Sequence, residues 1–438
     1  MKIAIDLTPL QGSHKMRGIG SVVKNFISNI EKCEEIDFIF YVNKTNQKKL
    51  DEIKNLISLE ENSYEIRNIN HHHDNVKKHS HNLIPNLLKQ TARIFVNILQ
   101  NRVYRKGTKI YGSMSNIDAF IQFDPSKPLA RLPRKGKNYL IAYDIIPYIL
   151  KYDYLPNYNI AKTRGSDIIE SLRCSTQRYL YRQKVVDSAK KAFKVMAISE
   201  TTKRDFVKYL NIPAQKIEVV ELGVSNEDKN IDLPNSIYIQ RYHETPWGEI
   251  KKRTKINKGS FIFFTGGADE RRRLSDLVTA FNHLKSQGNN LRLVLSGDIM
   301  KSPRHIPSYQ TRTALETSPF KDSIYFVGYT DDKTRDWLYK NATTFVFPSI
   351  YEGFGLPVLE AMKQKVPIIC YGCEAIREIA GKIPFYANDS STIVDRFEEI
   401  QSIPKNVLNS RLNQGVSHAK KYSWKKTTHQ ILDIVLKN

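Results

Sequence analysis

The sequence lacks any apolar run long enough to cross a bilayer, about 18 residues, so we expect no transmembrane helix. It also shows no secretion signal, because Asp6 interrupts the apolar start of the chain too early. We therefore expect a cytoplasmic protein, with peripheral attachment to the inner face of the membrane as an alternative. There are only four cysteines, and reduced thiols are expected. Cys370 and Cys373 form one C-x-x-C motif without the second pair of a zinc site, so buried or turn-lining thiols are favoured.

Acidic residues are scarce relative to basic ones, 45 against 68, which gives a net charge of +23 at pH 7. Such an excess favours an anionic partner: nucleic acid, an anionic lipid surface or a phosphorylated substrate. The alternative is that the positive charge is spread over a solvated surface and serves no partner. The sequence shows no aromatic–basic RNA-binding pattern, zinc knuckle or helix-turn-helix signature, so we do not expect a nucleic-acid partner.

Strand-like and helix-like segments alternate along most of the chain, which indicates an α/β architecture with parallel sheets. The expected strands are short apolar runs, namely Lys2–Asp6, Phe38–Val42, Ala119–Phe123, Tyr139–Tyr143, Val195–Ile198, Phe261–Phe264, Leu291–Leu295, Ile324–Val327, Thr344–Phe347 and Pro367–Cys370. We place an N-terminal domain at 1–222, a polar interdomain connection at 223–258 and a C-terminal domain at 259–418. Local structure around Ile237–Arg241 is left open. Two doubly wound, Rossmann-like domains are expected to face a central cleft, since ligands bind beyond the carboxyl ends of such strands.

The most informative segment is Phe347–Met362, which runs FPSIYEGFGLPVLEAM. It follows a predicted buried strand, is interrupted by Gly353 and Gly355, and resumes as a helix with proline in the first turn, where a missing N–H costs nothing. Glu352 lies in the turn, and Glu360 lies about two helical turns later. A strand, a glycine turn, an open helix N-terminus and two acids indicate a site for a polar ligand that carries phosphate.

A second loop, Thr265–Arg273, runs TGGADERRR and links the first strand of the second domain to a helix. Gly266 and Gly267 give the backbone freedom, and Arg271 and Arg272 are placed to grip a diphosphate. The alternative is a solvated basic helix start. Cations are unfavourable at a helix N-terminus, so phosphate binding is the favoured interpretation.

Two further features of the first domain are open to more than one interpretation. Gly18 and Gly20 follow the first strand and form a candidate phosphate cradle, although a plain tight turn accounts for them equally well. The stretch Leu83–Tyr104 carries an apolar stripe with basic neighbours. It is expected either to pack on its own domain, to lie on an anionic membrane or to form a subunit interface.

Together these motifs resemble glycosyltransferase family 4, retaining sugar-nucleotide-dependent enzymes with the GT-B fold. Glu352 and Glu360 match the E-x7-E motif of that family, within the pattern F-P-S-x-x-E-G-F-G-L-P-x-L-E-A-M. Arg271 and Arg272 stand where the family usually has Arg-Lys. Phe326–Tyr329 resembles the strand whose end touches the nucleotide base.

The first domain is similar to the family in fewer places. Gly18–Gly20 fits the N-terminal glycine loop. Asp144 keeps its place in a segment that resembles H-D-L-I-P on the acceptor side, whereas Tyr143 replaces the histidine. Residues 419–438 resemble the last helix, which in this fold crosses back onto the first domain.

The resemblance implies that a nucleoside diphosphate leaves the anomeric carbon of a sugar while an acceptor hydroxyl enters on the same face. It implies catalytic roles for Glu352, Arg271, Arg272 and Asp144, with Tyr143 on the acceptor side. The implied donor-binding residues are Gly18, Gly20, Gly266, Gly267, Tyr329, Gly353, Phe354, Gly355, Leu356 and Glu360. In this scheme Glu352 holds hydroxyls of the donor sugar and Glu360 holds the ribose.

The function implied is transfer of a hexose to a glycan or lipid-linked glycan, in bacterial surface polysaccharide synthesis. No two aspartates stand two positions apart, so the Asp-x-Asp motif of metal-dependent transferases is missing, and neither a metal nor another cofactor is expected. The alternative is a non-catalytic GT-B subunit that binds a glycan or a partner glycosyltransferase. The two acids and the basic pair argue against that alternative, and Tyr143 argues for it. The donor base, the sugar and the oligomeric state stay open.

Overall fold

The computed structural model describes residues 1–11, 18–31, 35–43, 47–57, 65–69, 116–127, 136–150, 168–224, 234–245, 248–297, 300–306 and 308–437. The stretch Leu83–Tyr104 lies outside these residues. The chain divides into two compact units, one formed by Met1–Gly223 with Trp424–Asn438 and the other by Val224–Ser423. In the part of the chain that is described, no helix is both long and apolar enough to cross a membrane.

The first unit is built on a parallel sheet of seven strands. In chain order these are β1 (Lys2–Asp6), β2 (Asp37–Asn43), β3 (Glu65–Ile69), β4 (Ala119–Gln122), β5 (Lys137–Ala142), β6 (Lys194–Ala197) and β7 (Ile217–Val219). Their order across the sheet is β3-β2-β1-β4-β5-β6-β7, so the winding reverses at β1. The central strands β1 and β4 are apolar and buried almost throughout, as expected for a parallel sheet covered on both faces.

Helices of the first unit connect these strands. They are α1 (Ile19–Ser28), α2 (Gln47–Ile57), α3 (Ile146–Ile149), α4 (Ile168–Lys191) and α5 (Glu200–Leu210), with short 3₁₀ helices at Thr8–Gln11 and Ala214–Lys216. The N-terminus of α5 shows how local sequence sets an element. The Ser199 hydroxyl accepts a hydrogen bond from the Thr202 N–H at 2.9 Å, which satisfies one donor of the first turn.

The second unit is built on an eight-stranded sheet. Its strands are β8 (Ser236–Thr245), β9 (Gly248–Asn257), β10 (Phe261–Thr265), β11 (Arg292–Ser296), β12 (Ile324–Gly328), β13 (Thr344–Phe347), β14 (Ile368–Tyr371) and β15 (Phe385–Ala387). The order across the sheet is β15-β14-β13-β10-β11-β12-β8-β9. The strands from β10 to β15 pair in parallel, whereas β8 pairs antiparallel with both β12 and β9.

Helices of the second unit cover this sheet. They are α6 (Leu274–Ser286), α7 (Tyr309–Glu316), α8 (Asp332–Asn341), α9 (Leu356–Lys363), α10 (Glu374–Ala380), α11 (Ser390–Ser402) and α12 (Lys405–Ala419), with 3₁₀ helices at Glu270–Arg272, Pro303–His305 and Lys321–Ser323. An aromatic cluster packs α8 against the central strands. The Tyr339 ring meets Phe263 and Phe345 at 5.0 Å each, and all three are fully buried. This packing fixes the positions of β10 and β13, from whose ends the site is built.

The last helix, α13 (Trp424–Leu436), belongs to the first unit. The Thr427 hydroxyl donates to the Glu221 carbonyl oxygen at 2.7 Å, and the Thr428 hydroxyl donates to the Phe26 carbonyl oxygen at 3.3 Å. The chain therefore returns to its N-terminal unit after the second unit is complete.

The expected strands are confirmed, with ends that shift by at most two residues. The stretch 223–258, expected as a polar connection, contains the hairpin of β8 and β9, which pair along their whole length and extend the second sheet. Cys370 is fully buried in β14, as expected, and Cys373 caps the start of α10.

Candidate functional site

The candidate site lies where the strand order of the second sheet reverses. β11 and β12 lie on one side of β10, and β13, β14 and β15 lie on the other. In open α/β sheets, ligands bind beyond the carboxyl ends of the strands at such a point. The loop after β10 carries Arg271 and Arg272, and the loop after β13 carries Glu352. The Ile350 N–H donates to the Arg271 carbonyl oxygen at 2.8 Å, so the two loops are tied together.

Glu352 is held by two arginines and a serine. Its Oε1 atom accepts hydrogen bonds from Arg271 Nη1 and, at 2.8 Å, from the Ser349 hydroxyl. Arg272 Nη2 lies 3.5 Å from the same oxygen. Arg271 Nη1 also donates to the Tyr351 carbonyl oxygen at 2.8 Å. Only 8% of Glu352 and 8% of Arg271 is exposed, so the acid and the cations form one buried cluster.

The electrostatics of this cluster keep Glu352 ionised. Burial raises the pKa of the Glu352 carboxyl, because the charged form loses its hydration. The charges of Arg271 and Arg272 and the hydrogen bond from Ser349 outweigh burial, so the pKa lies below its ordinary value of 4.5. Asp269 makes a looser contact, 3.7 Å from Arg271 Nη2, and its side chain is 34% exposed, so water screens it. Arg271 and Arg272 therefore share one buried carboxylate, and the more exposed Asp269, which also lies 3.8 Å from Arg272 Nε, is their second acid.

Arg272 occupies a place that a glycine makes possible. Its guanidinium lies 5.0 Å from the ring centroid of Phe347, the last residue of β13. Gly266 has a φ of +139°, and a Cβ atom there would collide with Arg272 Nη1. A Cβ atom at Gly267 would approach Asp269 Oδ2 to 3.1 Å. The two predicted glycines thus make room for the charged side chains of their own loop.

The turn after Glu352 leads into α9. Gly355 precedes this helix with a φ of +116°, a conformation that favours glycine, and Leu356 is the first helical residue. Pro357 has no N–H, and the Val358 N–H donates to the Gly355 carbonyl oxygen at 2.9 Å, so the start of α9 offers an anion the Leu356 N–H and the helix dipole. Gly353 and Phe354 are buried, and the Phe354 ring packs edge-on against Tyr422 at 6.0 Å.

Glu360 lies further along α9 and has a different set of partners. The Tyr339 hydroxyl donates to Glu360 Oε2 at 3.0 Å. Burial raises the pKa of the Glu360 carboxyl above its ordinary value of 4.5, and the nearby charge of Arg335 only partly offsets this. The two acids of the motif are therefore in opposite electrostatic states, with the pKa of Glu352 lowered and that of Glu360 raised.

The ends of β11 and β12 complete this edge of the sheet. The Gly266 N–H donates to the Ser296 carbonyl oxygen at 2.9 Å, and the Gly297 N–H donates to the Gly328 carbonyl oxygen at 2.9 Å. These bonds link the loops after β10, β11 and β12. Tyr329 follows Gly328 and is 46% exposed, so its side chain is accessible to a ligand.

The remaining predicted residues lie in the first unit, at the carboxyl edge of its own sheet. Gly18 caps α1 with a φ of +53° and has open space where a Cβ atom would point, whereas Gly20 is buried within α1. Asp144 Oδ1 accepts a hydrogen bond from the Ile146 N–H at 3.1 Å, just before α3 begins. Burial raises the pKa of the Tyr143 hydroxyl well above its ordinary value. The predicted residues thus lie in loops and helices that follow the strands of the two sheets, some in each unit, and Arg271, Arg272 and Glu352 are in mutual contact.

Sequence reasoning missed several residues around these groups. Ser349 and Asp269 lie inside the two motifs and contact the charged cluster, but no spacing rule marked them. Tyr339 lies on α8, and only packing brings it to Glu360. Asp6, at the end of β1, is 4% exposed, and burial raises its pKa to about 6. An acid that ends a buried strand at a sheet switch point is the signal that would have identified Asp6.

Comparisons with known proteins agree with this architecture. Residues 247–405 match the family described as Glycosyl transferases group 1. The O-antigen chain mannosyltransferase B of Escherichia coli is 26% identical over 57% of this chain and 61% of its own length. The capsular polysaccharide biosynthesis glycosyltransferase CapM of Staphylococcus aureus is 24% identical over 51% of this chain and 54% of its own length. The chain thus spans less than two thirds of these relatives.

A solved structure extends the similarity to the whole chain. The crystal structure of Anabaena Alr3699/HepE in complex with UDP and glucose matches with a TM-score of 0.60 and 10% identity, over 100% of both chains. The predicted GT-B fold, with two Rossmann-like domains, is confirmed. The sequence similarity to group 1 glycosyl transferases thus lies in the second unit, and the two named relatives are transferases of O-antigen and capsular polysaccharide.

Proposed function

We propose that this protein is a retaining glycosyltransferase of family 4 that moves a hexose from a nucleoside diphosphate sugar to a hydroxyl of a glycan or lipid-linked glycan. The observation that carries the proposal is the convergence of Arg271 and Arg272 on Glu352 at the switch point of the second sheet. The relatives named as O-antigen and capsular transferases favour a bacterial surface polysaccharide as the product.

In this proposal the buried cations act on the leaving group. When the bond between the anomeric carbon and the diphosphate breaks, negative charge grows on the diphosphate, and fixed cations stabilise that charge without reorganisation. Arg271 and Arg272 supply these cations, and the Leu356 N–H at the start of α9 supplies a backbone donor. The acceptor oxygen bonds to the anomeric carbon on the same face, and its proton leaves with the diphosphate.

The two acids of the motif take different parts. Glu352 is ionised and accepts hydrogen bonds, so it suits the hydroxyls of a donor sugar held beside the arginines. Glu360 lies along α9 with Tyr339 and suits the ribose hydroxyls. Asp144 and Tyr143 are assigned to the acceptor side of the first unit. The charges of Arg271 and Arg272 stabilise the leaving diphosphate in the way that a bound metal ion does in other transferases. The proposed reaction therefore needs no metal.

The test begins with binding and proceeds to turnover. A panel of sugar nucleotides, with a mannose donor first because of the named relatives, is screened by thermal shift at low and high salt. Donors that stabilise the protein are then tested for hydrolysis and transfer. A salt-insensitive shift followed by turnover supports the proposal. A shift without turnover with any acceptor class favours the non-catalytic subunit, and stabilisation by no sugar nucleotide contradicts the proposal.

A further inference from the structure

The edge strand of the second sheet is unusually basic. β9 and the residue after it contain five cations within eight positions, Lys251, Lys252, Arg253, Lys255 and Lys258, and no acid falls between them. All five are exposed. Alternate residues of a strand point to the same face, so three of these cations form a row on one face of the hairpin.

Tyrosines of β8 stand beside this row. In the strand register Tyr238 pairs with Lys255 and Tyr242 pairs with Lys251. The Arg253 guanidinium lies 4.5 Å from the centroid of the Tyr238 ring, and Lys251 Nζ lies 5.2 Å from that of Tyr242. Tyr238 is 57% exposed. The face therefore combines cations with amphipathic rings.

The opposite side of the hairpin is anchored in the unit. Ile239 is 3% exposed, and Ile256 is fully buried. The Arg241 guanidinium lies 4.0 Å from the Tyr325 ring centroid and donates to the Ile324 carbonyl oxygen at 3.3 Å. The basic row is thus presented by a packed element.

We propose that this basic face of β9, with Tyr238, binds the anionic surface of a lipid bilayer. Clusters of four to eight Lys and Arg residues are the feature that attracts anionic headgroups, and each contributes about 1 kcal/mol, or about fivefold, near the surface. Tyrosine favours the headgroup level, where one end is apolar and the other is wet. The proposal does not depend on sugar transfer, because vesicle binding is measured without donor or acceptor.

Two alternative roles for this basic face are protection of the sheet edge and binding of nucleic acid. Both agree less well with its residues than membrane binding does. Lysines on an edge strand hinder pairing with another chain, but that purpose accounts neither for five cations nor for the tyrosines beside them. Single-stranded nucleic acid stacks its bases on aromatic faces. Here Arg253 lies over the Tyr238 ring and Lys251 lies near the Tyr242 ring, so the ring faces are already engaged by cations.

The test uses the full chain and vesicles of equimolar phosphatidylglycerol and phosphatidylcholine, with pure phosphatidylcholine as the reference. The variant Lys251→Gln, Arg253→Gln, Lys255→Gln removes the row. A matched variant, Lys333→Gln, Lys382→Gln, Lys405→Gln, removes the same charge from exposed positions elsewhere in the unit. We expect the first variant to bind anionic vesicles on the order of 100-fold more weakly, and the matched variant to bind like the unchanged protein.

Several results would overturn the proposal. These are an absence of binding to anionic vesicles, equal loss in both variants, unchanged binding in the first variant, or tighter binding to a single-stranded oligonucleotide with the same cation dependence. If the triple variant does not show a cooperative thermal transition, the single variants Arg253→Gln and Lys255→Gln replace it. Each is then expected to weaken vesicle binding about fivefold.

Discussion

Arg271 and Glu352 should behave as one energetic unit, which a double-mutant cycle can measure. Arg271 Nη1 donates to the Ser349 hydroxyl at 3.2 Å, to the Tyr351 carbonyl oxygen at 2.8 Å and to Glu352. The Arg271→Ala variant leaves a carboxylate that is 8% exposed with only the more distant Arg272 as its cation. Breaking a buried ion pair by removing one partner costs about 3–5 kcal/mol, and we expect this loss in the free energy of unfolding.

The second single variant should cost less. Glutamine at position 352 keeps the shape of the side chain and an oxygen that accepts from Arg271 and Ser349. It loses the charge that pairs with Arg271 and Arg272, so the Glu352→Gln variant should lose about 1.5–3 kcal/mol, the range for hydrogen bonds to charged groups. In the double variant neither member of the Arg271–Glu352 pair is left without the other, and Arg272 keeps Asp269 at 3.8 Å. The loss in the double variant should fall short of the sum of the single losses by about 0.5–3 kcal/mol, the coupling seen for residues in direct contact.

The assay is urea unfolding of the ligand-free protein, with the transition of the second unit followed for all four members of the cycle. A cycle of Glu352→Gln with Lys333→Gln, an exposed residue of the same unit, serves as the control and should be additive. Additive losses for Arg271 and Glu352 would refute the reasoning, because they would mean that the buried pair contributes no interaction of its own.

Three further outcomes follow from the site. Glu352→Gln should lower kcat for sugar transfer by about 100-fold or more, the size seen when a preorganised polar contact is removed, and near-normal turnover would exclude the assigned role. Gly266→Ala should destabilise the second unit by about 1–3 kcal/mol, because its Cβ atom collides with Arg272, whereas Gly259→Ala, with a φ of +68° and open space, should cost only the backbone strain of about 1 kcal/mol. Incubation with a chelator should leave transfer unchanged within error, and loss of activity that Mg²⁺ or Mn²⁺ restores would contradict the proposed metal-free reaction.

The central strands could be predicted because each is a continuous apolar run. β10 and β13 are buried on both faces, so their sequences show no polar interruption, and the bounds predicted for β13 match the structure. The meeting of Arg271 with Glu352 also follows from sequence, since the carboxyl ends of neighbouring parallel strands deliver their loops to the same edge. The side-chain geometry could not be predicted from the pattern. In particular, nothing in the sequence indicated that the Ser349 hydroxyl donates to Glu352.

The hairpin of β8 and β9 escaped prediction for a physical reason. Its outer strand is an edge with lysine and arginine on both faces, so it lacks the alternation of a half-buried strand. Among the hairpin side chains that the structure describes, Ile239 and Ile256 are the ones that are buried, and they cover too little apolar surface to form a pattern over ten residues. The pairing of Glu360 with Tyr339 was hidden in a different way, because it depends on how α8 packs against α9.

The two acids of the E-x7-E motif should give opposite pH dependences of stability. The pKa of Glu352 is lowered in the folded protein, so its stabilisation is present above the unfolded value of 4.5 and is lost as the pH falls through the folded pKa. The pKa of Glu360 is raised, so its contribution is present below 4.5 and is lost as the pH rises through the folded pKa. On acidification, the free energy of unfolding of the unchanged protein should therefore approach that of Glu352→Gln. Over the same range it should rise relative to that of Glu360→Gln.

Urea unfolding from about pH 3, below the unfolded value of both acids, to about pH 7 measures both differences on the same protein. Glutamine at position 360 still offers an oxygen to the Tyr339 hydroxyl, so near pH 7 this variant should be at least as stable as the unchanged protein, since an ionised carboxylate is costly in that environment. Parallel slopes for the two variants would show that the cations around Glu352 and the burial of Glu360 do not set their charges. Opposite slopes of stability against pH would mean that Glu352 is held ionised beside the arginines, whereas Glu360 can bind a ligand as a neutral or an ionised group. The spacing of the motif does not reveal this difference.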